Sequence, residues 1–306
     1  MKKIYLHFVL LVAVAVAALQ GRAQDWRHYM LNNQSVYNPA FTGASEQVVG
    51  SLNYNMQAAG FPGTPKTAMA QFNGRLGFSN AALGGGVSYA NYGILSNYGT
   101  FLNFAYGIPF RNHHRIQLGF GGSFNFLQEK GSSLSTTLIG DDVYKVNANA
   151  MQFNFTVGAA YVGKNFWVGF AVPKLIRNSY DYSLSKNKVR LAAFNFNLMA
   201  GYDLRFGNFH FLPSFLLRSD EQTRFNCEIN TLFKYKEAVW FGPYYRVNAA
   251  YGLILGVGIT KYLQLSYAGE IQQTKLRTAS YGSHEITLGF RLPKSHGKIA
   301  QGPRYF

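Results

Sequence analysis

The residues that could do chemistry in this chain are few and widely spaced. His113 and His114 stand together beside Arg111 and Arg115, a spacing that suits an interfacial basic patch better than a metal pair. Asp141-Asp142 could bind a divalent ion or form half of a carboxylate dyad. No third carboxylate or histidine lies near them in sequence, and a solvated acidic turn explains them more simply. Arg246 and the pair His284-Glu285 are the best-placed reactive types, and ion pairing inside a protein wall accounts for them. Cys227 is the single cysteine, so neither an intramolecular disulfide nor a cysteine metal cluster can form. No glycine-rich phosphate loop follows a strand and opens a helix. The sequence therefore presents no catalytic, cofactor or metal constellation, and a non-enzymatic role is expected.

The elements that would position these residues are strands. The run Ser283–Leu292 sets His284, Ile286, Leu288, Phe290 and Leu292 on one parity and Glu285, Thr287, Gly289 and Arg291 on the other. Side chains of a strand alternate between faces, so the run has one apolar and one polar side. The same alternation recurs from Val48 onward. Ile116, Leu118, Phe120, Phe124 and Phe126 oppose Gln117, Ser123 and Asn125, and Met151, Phe153, Phe155 and Val157 oppose Gln152, Asn154 and Thr156. About fourteen such runs can be traced, including 165–173, 190–202, 210–218, 225–233, 238–246, 249–260 and 263–269.

Composition says what surrounds the apolar face. Aromatic residues make up 16% of the chain and charged residues only 14%, an inversion of the balance in soluble domains. Residues 1–23 read as a secretory signal peptide, with Lys2 and Lys3, an apolar stretch, and Gly21-Arg22-Ala23 as the cleavage site. Beyond it no segment approaches the ~20 apolar residues of a membrane helix. An exported, aromatic-rich, charge-poor chain of alternating runs predicts an all-β transmembrane antiparallel up-and-down barrel of about 14 strands in the outer membrane, with both termini periplasmic.

Two patterns support closure. Charges within the runs keep to the polar parity: Arg75, Arg115, Glu228, Glu285 and Arg291, with Arg246 also expected inward. The connections also alternate. Those at 77–81, 109–113, 163–164, 203–208, 234–237 and 261–262 are tight, whereas 57–66, 128–150, 174–188 and 270–282 are long, the asymmetry between periplasmic turns and outer loops. The expected order is thus a signal peptide at 1–23, a periplasmic or plug-like leader at 24–46, a barrel at 47–292 and a basic tail at 293–306. Many inward positions are glycine, among them Gly84, Gly119, Gly158, Gly169, Gly252 and Gly256. Such a lining admits close approach of a segment, and a lumen filled by loops or by the leader is the expectation.

The net charge is +16, or +13 once Lys2, Lys3 and Arg22 leave with the signal peptide. Export and the scatter of the basic residues among loops and strand ends argue against nucleic acid. Outer-membrane lipid or acidic partner surfaces are the expected counterparts.

The leader block Tyr37-Asn38-Pro39-Ala40-Phe41-Thr42-Gly43, followed in order by Pro213-Ser214, by Trp240-Phe241-Gly242 with Tyr245-Arg246, and by His284-Glu285-Ile286, resembles the PorP/SprF family of type IX secretion and gliding-motility proteins. Pro243 interrupts the tryptophan block, and Glu270 stands at the family's acidic position near the penultimate strand. The resemblance implies a non-enzymatic outer-membrane component that supports export or surface anchoring of secreted proteins and adhesins. It further implies contacts with periplasmic secretion-ring or peptidoglycan-binding components and with the C-terminal regions of cargo. It marks Tyr37, Asn38, Pro39, Pro213, Ser214, Trp240, Gly242, Tyr245, Arg246, His284 and Glu285 as partner-contact or barrel-structural positions. The residues themselves leave open a porin-like or hydrophobic-solute transport barrel and, more remotely, an outer-membrane hydrolase.

Overall fold

The computed structural model describes residues 34–45, 47–60, 63–77, 79–110, 114–130, 147–181, 186–220, 224–236, 238–273 and 280–292. The signal peptide, Asp141-Asp142, Arg111, His113 and the basic tail lie outside the described residues. A helical turn α1 (Gln34–Tyr37) and a 3-10 turn (Pro39–Phe41) precede the strands.

The strands are β1 (Val48–Met56), β2 (Lys66–Arg75), β3 (Ala81–Tyr92), β4 (Leu95–Pro109), β5 (Arg115–Lys130), β6 (Asn147–Val162), β7 (Phe166–Val172), β8 (Ile176–Asp181) and β9 (Lys186–Leu191). They continue as β10 (Phe196–Tyr202), β11 (Leu204–Phe206), β12 (Phe209–Ser219), β13 (Phe225–Tyr235), β14 (Val239–Arg246), β15 (Ala250–Gly258), β16 (Leu263–Gln272) and β17 (Ser283–Leu292). Strands adjacent in the wall pair antiparallel, and three pairings between strands not consecutive in the chain close the ring. The first strand meets the last, Val48 opposite Leu292 through Met56 opposite His284, and β10 pairs with both β7 and β12. Among the described residues this is a closed antiparallel barrel of fourteen strands, with no open edge to template further pairing.

The parity read from the sequence is the parity of the wall. Leu52, Tyr54, Phe72, Leu102, Phe120, Phe153 and Ile286 face outward and are exposed, as a lipid-facing band requires. Ser51, Asn53, Asn55, Gln71, Asn73 and Gln117 alternate with that band and are buried inside. Arg115, Glu228, Arg246 and Glu285 are inward and buried as well. On the outer face, aromatic side chains pair across strands: Phe120 stacks on Phe155 at 5.6 Å, Phe233 on Phe241 at 5.0 Å and Tyr245 on Tyr251 at 5.0 Å.

Three details differ from the sequence expectation. The connection expected as a long loop at 174–188 carries the hairpin β8–β9, which pairs with itself outside the ring. Its base is tied down by amides: Asn195 accepts from the Lys174 amide and donates back to its carbonyl, and Asn154 Oδ1 accepts from the Leu175 and Ile176 amides. The run expected over 190–202 is therefore broken at residues 192–195 before β10 begins. The turn expected at 203–208 is also shorter, because β11 continues the β10 register along β12. Only Gly207, at a φ of 61° that favours glycine, and Asn208 remain to reverse the chain.

Candidate functional site

The lumen is where this wall concentrates its polar groups, and the leader lies inside it. Asn38 organises the leader. Its side chain caps the 3-10 turn by accepting from the Ala40 amide at 2.9 Å, and its Nδ2 donates to the carbonyls of Ala159 and Phe170, each at 3.2 Å. Pro39 opens that turn at a position where a missing amide proton costs nothing. A Cβ at Gly158 would overlap Asn38 Oδ1, one at Gly169 would overlap Phe41, and one at Gly119 would overlap the Pro39–Ala40 backbone. These three glycines, on β6, β7 and β5, make the trough that holds the turn.

The wall also supplies donors for the leader's carbonyls, which a segment without a sheet partner would otherwise leave unmet. Asn103 donates to Ser35 O and Asn197 to Tyr37 O, each at 2.8 Å; Arg75 donates to Gly43 O at 3.2 Å, and Arg115 to Ala44 O. Asn73 accepts from the Gly43 amide at 3.1 Å. Ring contacts complete the seat: Phe41 meets Trp167 edge to face at 5.2 Å, and the Arg218 guanidinium makes a cation–π contact 5.5 Å over the Tyr37 ring.

The opposite wall carries a belt of buried charge. Arg246 on β14 pairs with Glu270 on β16, and Tyr244 donates to the same carboxylate at 3.4 Å. Gly252 on the intervening β15 makes this possible, since a Cβ there would overlap the Tyr244 ring. Glu228 accepts from Asn230 at 2.9 Å. Glu285 accepts from Asn55 at 3.2 Å and Thr287 at 3.4 Å, and hydrogen bonds run on from Asn53 to Thr287, Ser51 to Asn53 and Gln71 to Ser51. Desolvated carboxylates persist only when hydrogen-bonded or paired; here Glu270 ties β16 to β14, and the chain from Glu285 crosses the closure seam from β17 to β1 and on to β2. Among the described residues no group of three or more histidine, cysteine, aspartate or glutamate side chains could hold a metal.

The residues singled out from sequence fall into separate places. Tyr37, Asn38 and Pro39 form the leader seat, while Arg246 and Glu285 sit in the charge belt. Trp240 lies inward over Gly256 with Lys234 Nζ 5.8 Å from its ring, and Gly242 gives room to Leu232. Ser214 is inward and buried. Pro213 and Tyr245 share the outward parity, and His284 also faces out, its Nδ1 2.6 Å from the Tyr267 hydroxyl. His284 and Glu285 are thus neighbours in sequence on opposite faces of one strand. The sequence reading placed Glu228 inward, as found, but missed Tyr244 in the belt, and Asn73, Asn103 and Asn197 as the leader's partners. Each is a single polar residue at inward parity, and nothing local distinguishes it from other lumen residues.

Together, the lipid-facing band, the closed ring and the lumen occupied by its own leader define a transmembrane β-barrel of the outer-membrane type. The family model described as type IX secretion system membrane protein PorP/SprF matches residues 21–290, and the chain belongs to that family. No curated protein matches the chain. Among solved structures it is similar to the CymD monoaromatic hydrocarbon channel, with 11% identity and a TM-score of 0.52, covering 86% of this chain and 93% of that one. It is also similar to the Acinetobacter baumannii outer membrane protein Omp33, with 12% identity and a TM-score of 0.47, covering 82% and 100%. The first likeness shows the barrel fold, and the fold alone.

Proposed function

We propose that this chain is a non-enzymatic outer-membrane component of type IX protein secretion, supporting export or surface anchoring of secreted proteins. In this reading it is a leader-filled barrel that anchors other components and does not conduct solutes freely. The observation that carries it is the leader seat: a segment fixed by Asn38, Phe41 and wall donors occupies the glycine trough that an open pore would leave to water. Family membership supplies the process.

The rim of tight turns faces the periplasm in this orientation and meets the secretion ring or peptidoglycan-binding components. Lys236, Lys261 and Arg291 around a cavity of about 540 Å³ on that rim provide a basic surface for acidic partners. Cargo or adhesin C-terminal regions are the expected secreted partners.

A deletion strain tests the process. Retention of large surface proteins in the cell is expected, and intact surface display in a strain lacking other family members would refute it. Planar-bilayer recordings separate this reading from a transport barrel. The full chain should show little or no single-channel conductance, and a chain lacking residues 24–45 should show a clear rise. Steady high conductance from the full chain would favour transport.

A further inference from the structure

The lumen on the long-loop side of the leader is a cavity of about 690 Å³, with Val36 and Tyr37 among the residues at its leader end. That volume lies within the range of small-ligand sites. Its wall carries two kinds of group. Four cations, Lys174, Arg177, Arg218 and Arg224, line it against the single carboxylate Asp220 among the described residues. Asp220 is itself held by Arg224 at 2.6 Å, and basic residues outnumber acidic ones in the described lining. The remaining surface is rich in neutral hydrogen-bonding groups, including Asn125, Gln152 and Ser123 on β5 and β6, while among the described residues the apolar lining is Val36, Pro173 and Ile176 beside the Tyr37 ring.

These features select a ligand. Side-chain amides offer both donors and acceptors, which matches hydroxyl groups that do the same. Lys174 and Arg177, exposed at the base of the β8–β9 hairpin, suit carboxylates, and a cleft lined by one sign of charge concentrates anions. A peptide would draw on pockets for apolar side chains, and the described lining is mostly polar. We propose that the cavity is a binding site for an acidic oligosaccharide, a short sugar chain carrying carboxylates, entering from the long-loop side and resting on the leader.

The test is calorimetric titration of the detergent-solubilised full chain. The probes are a tetrasaccharide of alternating glucuronic acid and N-acetylglucosamine, the neutral tetramer of N-acetylglucosamine, and tetraglutamate. Saturable binding of the acidic sugar is expected, at least about tenfold tighter than of the neutral one and weakening with added salt. The Lys174→Ala/Arg177→Ala variant should lose about tenfold or more in affinity. Heat-modifiable migration on gels reports its folding, and Lys174→Glu alone gives the same readout if the double variant fails to fold. No saturable binding of the acidic sugar, equal binding of the neutral one, tetraglutamate binding as well or better, or unchanged affinity in the folded variant would each overturn the proposal.

Discussion

The glycine at position 158 carries a sharper demand than most residues of this chain, because the space beyond its Cα is taken by Asn38 Oδ1. Gly158→Val should leave the ring formed and unseat the leader, an overpacking change that costs about 1–3 kcal/mol where the structure cannot yield. Limited proteolysis should then cut near residues 34–45 in the folded barrel at least severalfold faster than in the wild type. Equal protection would mean that the leader has another anchor. Arg246 poses the complementary test. Removing one member of a buried pair strands the other charge, so Arg246→Leu should destabilise the barrel by about 3–5 kcal/mol in urea unfolding. Arg246→Leu combined with Glu270→Leu should recover much of that loss, and a double variant no better than the single one would place the cost elsewhere. Arg246 was legible as an inward charge from its parity with Trp240 and Gly242. Its partner was not, because Glu270 lies 24 residues on and two strands away, a proximity that register creates and sequence spacing does not reveal.

At the scale of elements, facing decides tolerance. Phe120 looks outward and stacks on Phe155, whereas Ser123, on the same strand, lines the lumen cavity. Phe120→Arg places a charge in the lipid band at a cost of about 2–4 kcal/mol near the midplane. It should lower the amount of assembled protein at the cell surface, and Ser123→Arg should have a milder effect; equal surface levels would contradict the facing. The strands were readable from sequence because one face meets lipid and the other a polar interior, so a period of two is enforced along nearly every run. The β8–β9 hairpin was not readable, since beyond the ring no second face imposes that period. The residues 192–195 that separate it from β10 are held by Asn195, which accepts from and donates to the backbone in a geometry without a sequence pattern. A different cause hid β11: Asp203, fully buried and bonded to Arg205 and His210, interrupts the strand while the register with β12 runs on.

At the scale of the whole molecule, the ring and the leader form one object with two unequal halves. Strands β5 to β7 provide the trough and β4 and β10 amide donors, while β13 to β17 carry the buried charge belt, whose hydrogen bonds continue across the β1–β17 seam. The number of strands, the closure and the inward charges follow from alternation and connection length. The division of labour between the halves does not, because it depends on which inward residues meet the leader and which meet one another.

That arrangement imposes an order on biogenesis. The leader precedes every strand in the chain, yet its partners are scattered from Asn73 on β2 to Arg218 on β12, so its seat is incomplete until β12 has joined the sheet. It must therefore wait, unsatisfied, for strands that have not yet paired. Then either it is enclosed as the sheet curls and β17 zips onto β1, or it slides in through the finished mouth. In the first case the barrel is cast around its own beginning, and the joining of first strand to last is also the moment at which the leader is locked in.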